Sequence, residues 1–127
     1  MEIKLGLLVK SKNALDKLNN TEGMDALTAY RISKNINGIN RELDIYDEQR
    51  LKLLNEYCEK ENGKPILENG MVTVVGEKYK KYESELSKIF DETVEISLKK
   101  IPIGTILNAG LSPAQIDSIE YMLECED

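Results

Sequence analysis

The chain has 127 residues, 17 of them basic and 23 acidic, giving a formal net charge of −6, with 31% charged and only 6% aromatic residues. That length suits one domain, 1–127, which can bury a core without disulfides or a metal. The acidity argues against direct, sequence-blind nucleic-acid binding, which needs a basic face. It leaves open plain solubility or an acidic surface that competes for a nucleic-acid-binding groove.

No stretch approaches the 18 or more consecutive apolar residues of a membrane span, and Leu7 to Val9 is too short for a secretory leader. The expectation is a cytoplasmic protein without a membrane partner. Cys58 and Cys125 stand far apart and neither belongs to a CxxC pair, so both read as ordinary thiols.

Ile3 and Leu5, alternating with Glu2 and Lys4, predict a short N-terminal strand. Leu7 or Leu8, Leu15 and Leu18 predict one short amphipathic helix ending near Asn19-Asn20. Gly23 then interrupts, and Asp25 is placed as the cap or as a first-turn acid of the next element. From there Ala29, Ile32, Ile36, Ile39, Leu43, Tyr46, Arg50, Leu53 and Tyr57 recur at alternating steps of three and four, one seam of a single helix. A helix from Met24 to Lys60 would run about 55 Å. Asn62-Gly63 reads as its stop, because both residues tolerate the left-handed conformation of a helix C-terminus.

Asn69-Gly70, between Ile66-Leu67 and the β-prone run Met71 to Val75, predicts a hairpin with a two-residue turn. Pro65 keeps its first strand short. Tyr79, Tyr82, Leu86, Ile89 and Thr93 share the seam of a second helix, Glu77 to Glu92, which should return antiparallel to the first. Val94, Ile96 and Leu98 alternate with polar residues as a half-buried strand able to pair with residues 2–5. Ser112-Pro113-Ala114-Gln115 has the form of a capping box, with Leu111 and Ile116 placed as a hydrophobic staple. Ile116, Ile119 and Leu123 would form the buried face of a C-terminal helix. The acidic residues Glu120, Glu124, Glu126 and Asp127 would oppose its dipole and fray its end. The fold class is therefore α+β, mainly α: a long central helix with an antiparallel return helix, a short β-hairpin between them, terminal strand pairing and a capped C-terminal helix.

Chemistry is sparse. There is no His, which removes the commonest general base and metal ligand, and no Walker loop, GxSxG or GxGxxG. Asp44, Asp47 and Glu48 fall mainly on a solvated helix face, where nothing drives their pKa values apart for acid–base work. The expectation is a non-enzyme without cofactor or metal. Arg50 breaks the apolar seam, either paired with Glu83 or Glu85 on the return helix or held as an anchor for an acidic group. Asn35-Ile36-Asn37-Gly38-Ile39-Asn40 weakens the long helix locally. It reads as a close backbone approach at Gly38, a gentle bend, or part of a recognition patch. Tyr30, Lys34, Asn37 and Arg41, spaced four, three and four, share a stripe opposite the seam and form the candidate partner-binding site. Tyr30 could instead pack beneath the N-terminal helix.

Ile3-Lys4-Leu5-Gly6, Ala14-Leu15 with Lys17-Leu18, and Ala29-Tyr30 with Ile32 and Lys34 resemble small phage and prophage proteins of Gram-positive bacteria, a family without an assigned activity. Glu42-Leu43, Tyr46, Arg50, Leu53-Leu54, Tyr57, Val94-Glu95 and Leu111-Ser112-Pro113 extend the resemblance over nearly the whole chain. The chain departs from the family at Gly23-Met24-Asp25, where Pro often stands. The resemblance implies a phage-encoded accessory protein in the cytoplasm of an infected bacterium. Two functions fit: binding and blocking or regulating a host or phage protein, as in counter-defence or takeover, or serving as an assembly factor or minor component of the virion tail. The expected state is a monomer, with a homodimer as the competing way to cover the seam.

Overall fold

Alternation of Glu2, Ile3 and Lys4 gives strand β1 (Glu2–Lys4), in which only Ile3 is buried. The computed structural model describes residues 1–124. Strand β1 runs straight into helix α1 (Leu5–Lys10), and helix α2 (Lys12–Asn19) follows after one residue. The single helix expected here is split at Ser11. Its buried hydroxyl donates to the Leu8 carbonyl at 2.7 Å, a side-chain bond to the preceding turn of the kind that bends helices. The same oxygen lies 2.8 Å from the Tyr121 hydroxyl, tying this corner to the far end of the chain.

Helix α3 (Ala26–Tyr57) is 32 residues long, about 48 Å, and slightly shorter than its sequence pattern suggested. Asp25 caps it as expected: one carboxylate oxygen accepts from the Thr28 amide at 3.1 Å and the other from the Thr28 hydroxyl at 2.7 Å. Ile32, Ile39, Leu43 and Tyr46 are buried along the seam, and Ile36 is half-buried. Ala29 is exposed, whereas Thr28 and Asn35 are buried in the first turns. A straight helix has 3.6 residues per turn, so a strict heptad drifts by about 20° each repeat. Toward the N-terminus that drift carries Ala29 out and brings Thr28 and Asn35 in.

Asn62-Gly63 is not the stop signal of α3. The helix ends at Tyr57; Cys58 is extended and 1% exposed, and Glu59 donates its amide to the Thr73 carbonyl at 2.9 Å. Asn62 (φ 53°) and Gly63 (φ 76°) turn a first ribbon between β2 (Lys60–Glu61) and β3 (Lys64–Pro65). Asn69 (φ 53°) and Gly70 (φ 78°) turn a second between β4 (Leu67–Glu68) and β5 (Met71–Val72), the hairpin read from sequence. Two left-handed residues in succession are what a two-residue hairpin turn demands. The same dipeptide satisfies either a helix end or a hairpin, so the neighbouring pairing decides.

Helix α4 (Gly76–Phe90) returns antiparallel on the second half of α3. Lys78 lies 3.9 Å from Glu59 at one end of the pair, and the rings of Phe90 and Tyr46 sit 5.3 Å apart at the other. Thr93, expected on its seam, belongs instead to strand β6 (Thr93–Glu95), which pairs antiparallel with β1 as Ile3↔Val94. Arg50 does not cross to α4: its Nε lies 3.6 Å from Asp47 on its own helix. With its side chain 35% exposed, it stays hydrated and needs no buried partner.

The chain then crosses α3 over Ile96 to Lys100 and forms β7 (Ile101–Pro102) and a run of 3₁₀ turns over Ile103–Ala109. The capping box is complete: Ser112 Oγ accepts from the Gln115 amide, and Gln115 Oε1 accepts from the Ser112 amide. Helix α5 (Pro113–Ser118) is shorter than expected. A 3₁₀ turn over Glu120–Met122 follows, and then strand β8 (Leu123–Glu124) lies parallel to β7. Glu120 and Glu124 therefore do not occupy a last helical turn, which removes the dipole conflict. Cys125, Glu126 and Asp127 lie outside the described residues.

One core joins Leu8, Leu15 and Leu18 to Ile32, Ile39 and Leu43 and, from the C-terminal segment, to Ile101, Ile119 and Met122. These terminal elements cover the first half of the α3 seam without recourse to a second copy. No helix among the described residues is long and apolar enough to cross a membrane.

Two glycines in helices have opposite roles. A Cβ on Gly6 would meet the Phe90 ring at 3.1 Å and the Phe90 carbonyl oxygen at 3.2 Å, so α1 needs glycine to approach the end of α4. A Cβ on Gly38 would meet the Ile96 side chain at an ordinary 3.6 and 3.8 Å, so the backbone approach expected there is not a close one. Gly38→Ala should therefore raise unfolding stability by up to about 1 kcal/mol through helix propensity. Gly6→Ala should give no such gain, and the larger Gly6→Val should lower the melting temperature. Urea titration of the three variants checks the contrast.

Candidate functional site

The core face of α3 lies toward the terminal elements, so its opposite face is presented outward. Tyr30, Lys34, Asn37 and Arg41 are all exposed on that outer face, brought together as their spacing requires. Tyr30 is 56% exposed and does not pack beneath the N-terminal helix. The Lys34 ammonium stands 5.8 Å from the Tyr30 ring centroid, within cation–π range, which holds both side chains along the helix. Arg41 makes no ion pair among the described residues, whereas Arg50 is paired. The Asn cluster divides between the two faces: Asn37 is exposed, and Asn35 is 1% exposed.

Sequence reasoning missed two members of this surface. Leu27, 56% exposed, continues the stripe one step back, at the same spacing of three from Tyr30. Ile45, 57% exposed, continues it forward from Arg41. Extending the three-and-four count in both directions would have found each.

At Ile45 the outer face meets a groove of about 440 Å³ between α3 and α4. Ile45, Tyr46 and Leu53 of α3 and Ile89 of α4 form its apolar sides, and Leu5 and Val94 its floor. Glu42 and Gln49 stand on one rim; Glu85, Lys88 and Glu92 stand on the other. A second concavity of about 410 Å³ is lined by Ile103, Pro113, Ile116 and Leu123, with Asp117 and Glu120 beside them.

Three titratable groups among the described residues depart from their ordinary values. Hydrogen bonds from the Thr28 hydroxyl and amide hold the Asp25 carboxyl below its ordinary value. Burial raises the Tyr46 and Tyr121 hydroxyls. Asp47 pairs with Arg50 and Glu48 with Lys52, at 3.6 and 3.9 Å, on the solvated face expected for them. Cys58 is buried, 3.6 Å from the Asn55 carbonyl. Among the described residues, no group of three or more His, Cys, Asp or Glu side chains is placed to hold a metal ion.

The chain matches no family model, no curated protein and no solved structure.

The Asp25 cap sets the first turn of α3, from which Leu27 and Tyr30 project. A carboxyl held below its ordinary value stabilises the folded form fully above the usual Asp range, about pH 4, and loses that contribution as pH falls through the lowered value. In an acid titration followed by NMR, the Thr28 amide should shift with a midpoint below about pH 4. Asp25→Ala should abolish that titration and speed Thr28 amide exchange at neutral pH. A Thr28 amide indifferent to acid would show that the cap does not form.

Proposed function

We propose that this chain is a non-catalytic, phage-encoded accessory protein that binds a host or phage protein in the infected bacterial cytoplasm and blocks or regulates it. The observation that carries this reading is the outer face of α3. Tyr30, Lys34, Asn37 and Arg41 are set in a row on a 32-residue helix whose other side is locked in the core. Exposed aromatic and arginine side chains on rigid backbone are the residue types that most often anchor protein interfaces. Because the helix is already ordered, binding costs little backbone entropy. The phage-protein resemblance supplies the setting, and the contact surface is read from this chain alone.

A second reading, an assembly factor or minor component of the virion tail, draws on a different feature. The two ribbons over residues 60–72 carry open strand edges, with Leu67 64% and Met71 71% exposed at the far end of the α3–α4 pair. Open edges of this kind can be extended by strands of a repeated partner.

Affinity capture from infected cells, with the bound proteins identified by mass spectrometry, separates the two. The first reading expects one host or early phage protein, and the second expects virion structural proteins. Tyr30→Ala and Arg41→Glu should each weaken binding of the captured protein by about thirtyfold, the equivalent of about 2 kcal/mol, while circular dichroism stays unchanged. Undiminished binding by a folded double variant would remove the outer face of α3 from consideration.

A further inference from the structure

Helix α4 covers α3 on one side only. None of its residues is fully buried: Leu86, Ile89 and Phe90 are half-buried against the core, and Leu53, Leu54 and Tyr57 on the last turns of α3 are half-buried as well. A pair of antiparallel helices with apolar residues left along their shared furrow is two-thirds of a three-helix bundle.

On α3 the groove is lined at positions 42, 45, 46, 49 and 53, and on α4 at 85, 88 and 89, with Glu92 just past its end. Both series follow one face of a helix, so the furrow runs along the helix axes. Its centre is apolar, and 57% of Ile45 is exposed there. Its rims carry three carboxylates, Glu42, Glu85 and Glu92, and one cation. That cation, Lys88, is 3.1 Å from Glu85 and offsets one of the three, so the rims keep a net acidic charge. At about 440 Å³ the furrow takes a few side chains and not the body of a helix.

We propose that this groove docks an amphipathic helix of a partner protein, one whose apolar stripe enters the furrow while flanking Lys or Arg side chains meet Glu42, Glu85 and Glu92. Apolar anchors at i, i+3 or i+4, and i+7 match the furrow's spacing, the geometry by which helices dock into apolar grooves. The acidic rims select a basic partner through charge complementarity and repel an acidic one. The groove is lined from Glu42 to Leu53 along α3, so the docked segment spans about three turns. The inference rests on the reading of this chain as a protein-binding domain; it shares Ile45 with the outer face of α3 but does not depend on Tyr30, Lys34, Asn37 or Arg41.

The probe is a synthetic 16-residue peptide with leucines at helical spacing and lysines on either side of them. Two controls accompany it: one replaces every lysine with glutamate, and one keeps the composition but scrambles the leucine spacing. Fluorescence anisotropy at two salt concentrations reads binding, and NMR shift mapping reads its place. The amphipathic basic peptide should bind at least tenfold more tightly than either control, shift the Ile45, Leu53 and Ile89 signals, and weaken with salt. Ile45→Glu and the Glu85→Lys/Glu92→Lys pair should each reduce affinity at least tenfold. Both changes fall on half-buried or exposed positions, and circular dichroism checks each fold.

Equal binding of the scrambled peptide, or of the basic peptide to Ile45→Glu, would mean diffuse attraction to an acidic surface and would overturn the proposal. Absence of binding would overturn it as well. So would a solution mass twice that of the chain that falls to monomer in Ile45→Glu, because a second copy would then fill the groove. Tyr30→Ala should leave peptide binding unchanged. Loss of the groove result with the outer-face capture intact would sink this inference alone.

Discussion

The carboxamide of Asn35 holds the architecture together. Its oxygen accepts the Lys99 amide at 2.7 Å, and its nitrogen donates to the Lys99 carbonyl at 2.8 Å, with the Met122 sulfur 3.7 Å away. Lys99 lies between strands β6 and β7, where no neighbouring strand is present to take its main-chain groups. A single asparagine therefore does the work of a strand partner. It is 1% exposed, and among the described residues no buried side-chain nitrogen or oxygen lacks a hydrogen-bond partner. Losing this side chain would leave the partly buried amide and carbonyl of Lys99 without their partner at one residue.

The rest of the C-terminal segment follows from that clasp. With Lys99 pinned across α3, Ile96 settles over Gly38, and Ile101 enters the core and starts β7. Strand β8 then has an edge to join, and Tyr121 comes within 2.8 Å of Ser11. This route covers the first half of the α3 seam. It also leaves the second half to α4 alone, which is why the groove lies where it does. The two candidate surfaces are thus consequences of one division of α3: core and C-terminal crossing on one side, the exposed stripe opposite, and a partly filled furrow beyond Ile45.

Local signals carried much of this fold. The Asp25 cap, the Ser112–Gln115 box, the Asn69-Gly70 turn and the pairing of residues 2–4 with 93–95 all depend on chemistry within a few residues or on simple alternation. The long helix and its return were legible in their apolar periodicity. What sequence could not give was any choice made by tertiary neighbours. Asn62-Gly63 is compatible with a helix end and with a hairpin, and the pairing of Lys60 with Pro65 and of Glu61 with Lys64 selects the latter. Asn35 looked like one of three residues weakening a helix, yet its role is set by Lys99, 64 positions away. The stripe of Tyr30, Lys34, Asn37 and Arg41 was readable because helical spacing alone defines a face. The groove was not readable, because it exists only where two helices fail to bury each other.

Hydrogen exchange at the Lys99 amide tests the clasp most directly. Lys99 has an exposed side chain and lies outside any helix or strand, and among the described residues it is the Asn35 oxygen that accepts its amide. The account predicts slow exchange in the parent, comparable to the core amides of α3, and fast exchange in Asn35→Ala. Exchange in the parent at the rate of an open loop would contradict it.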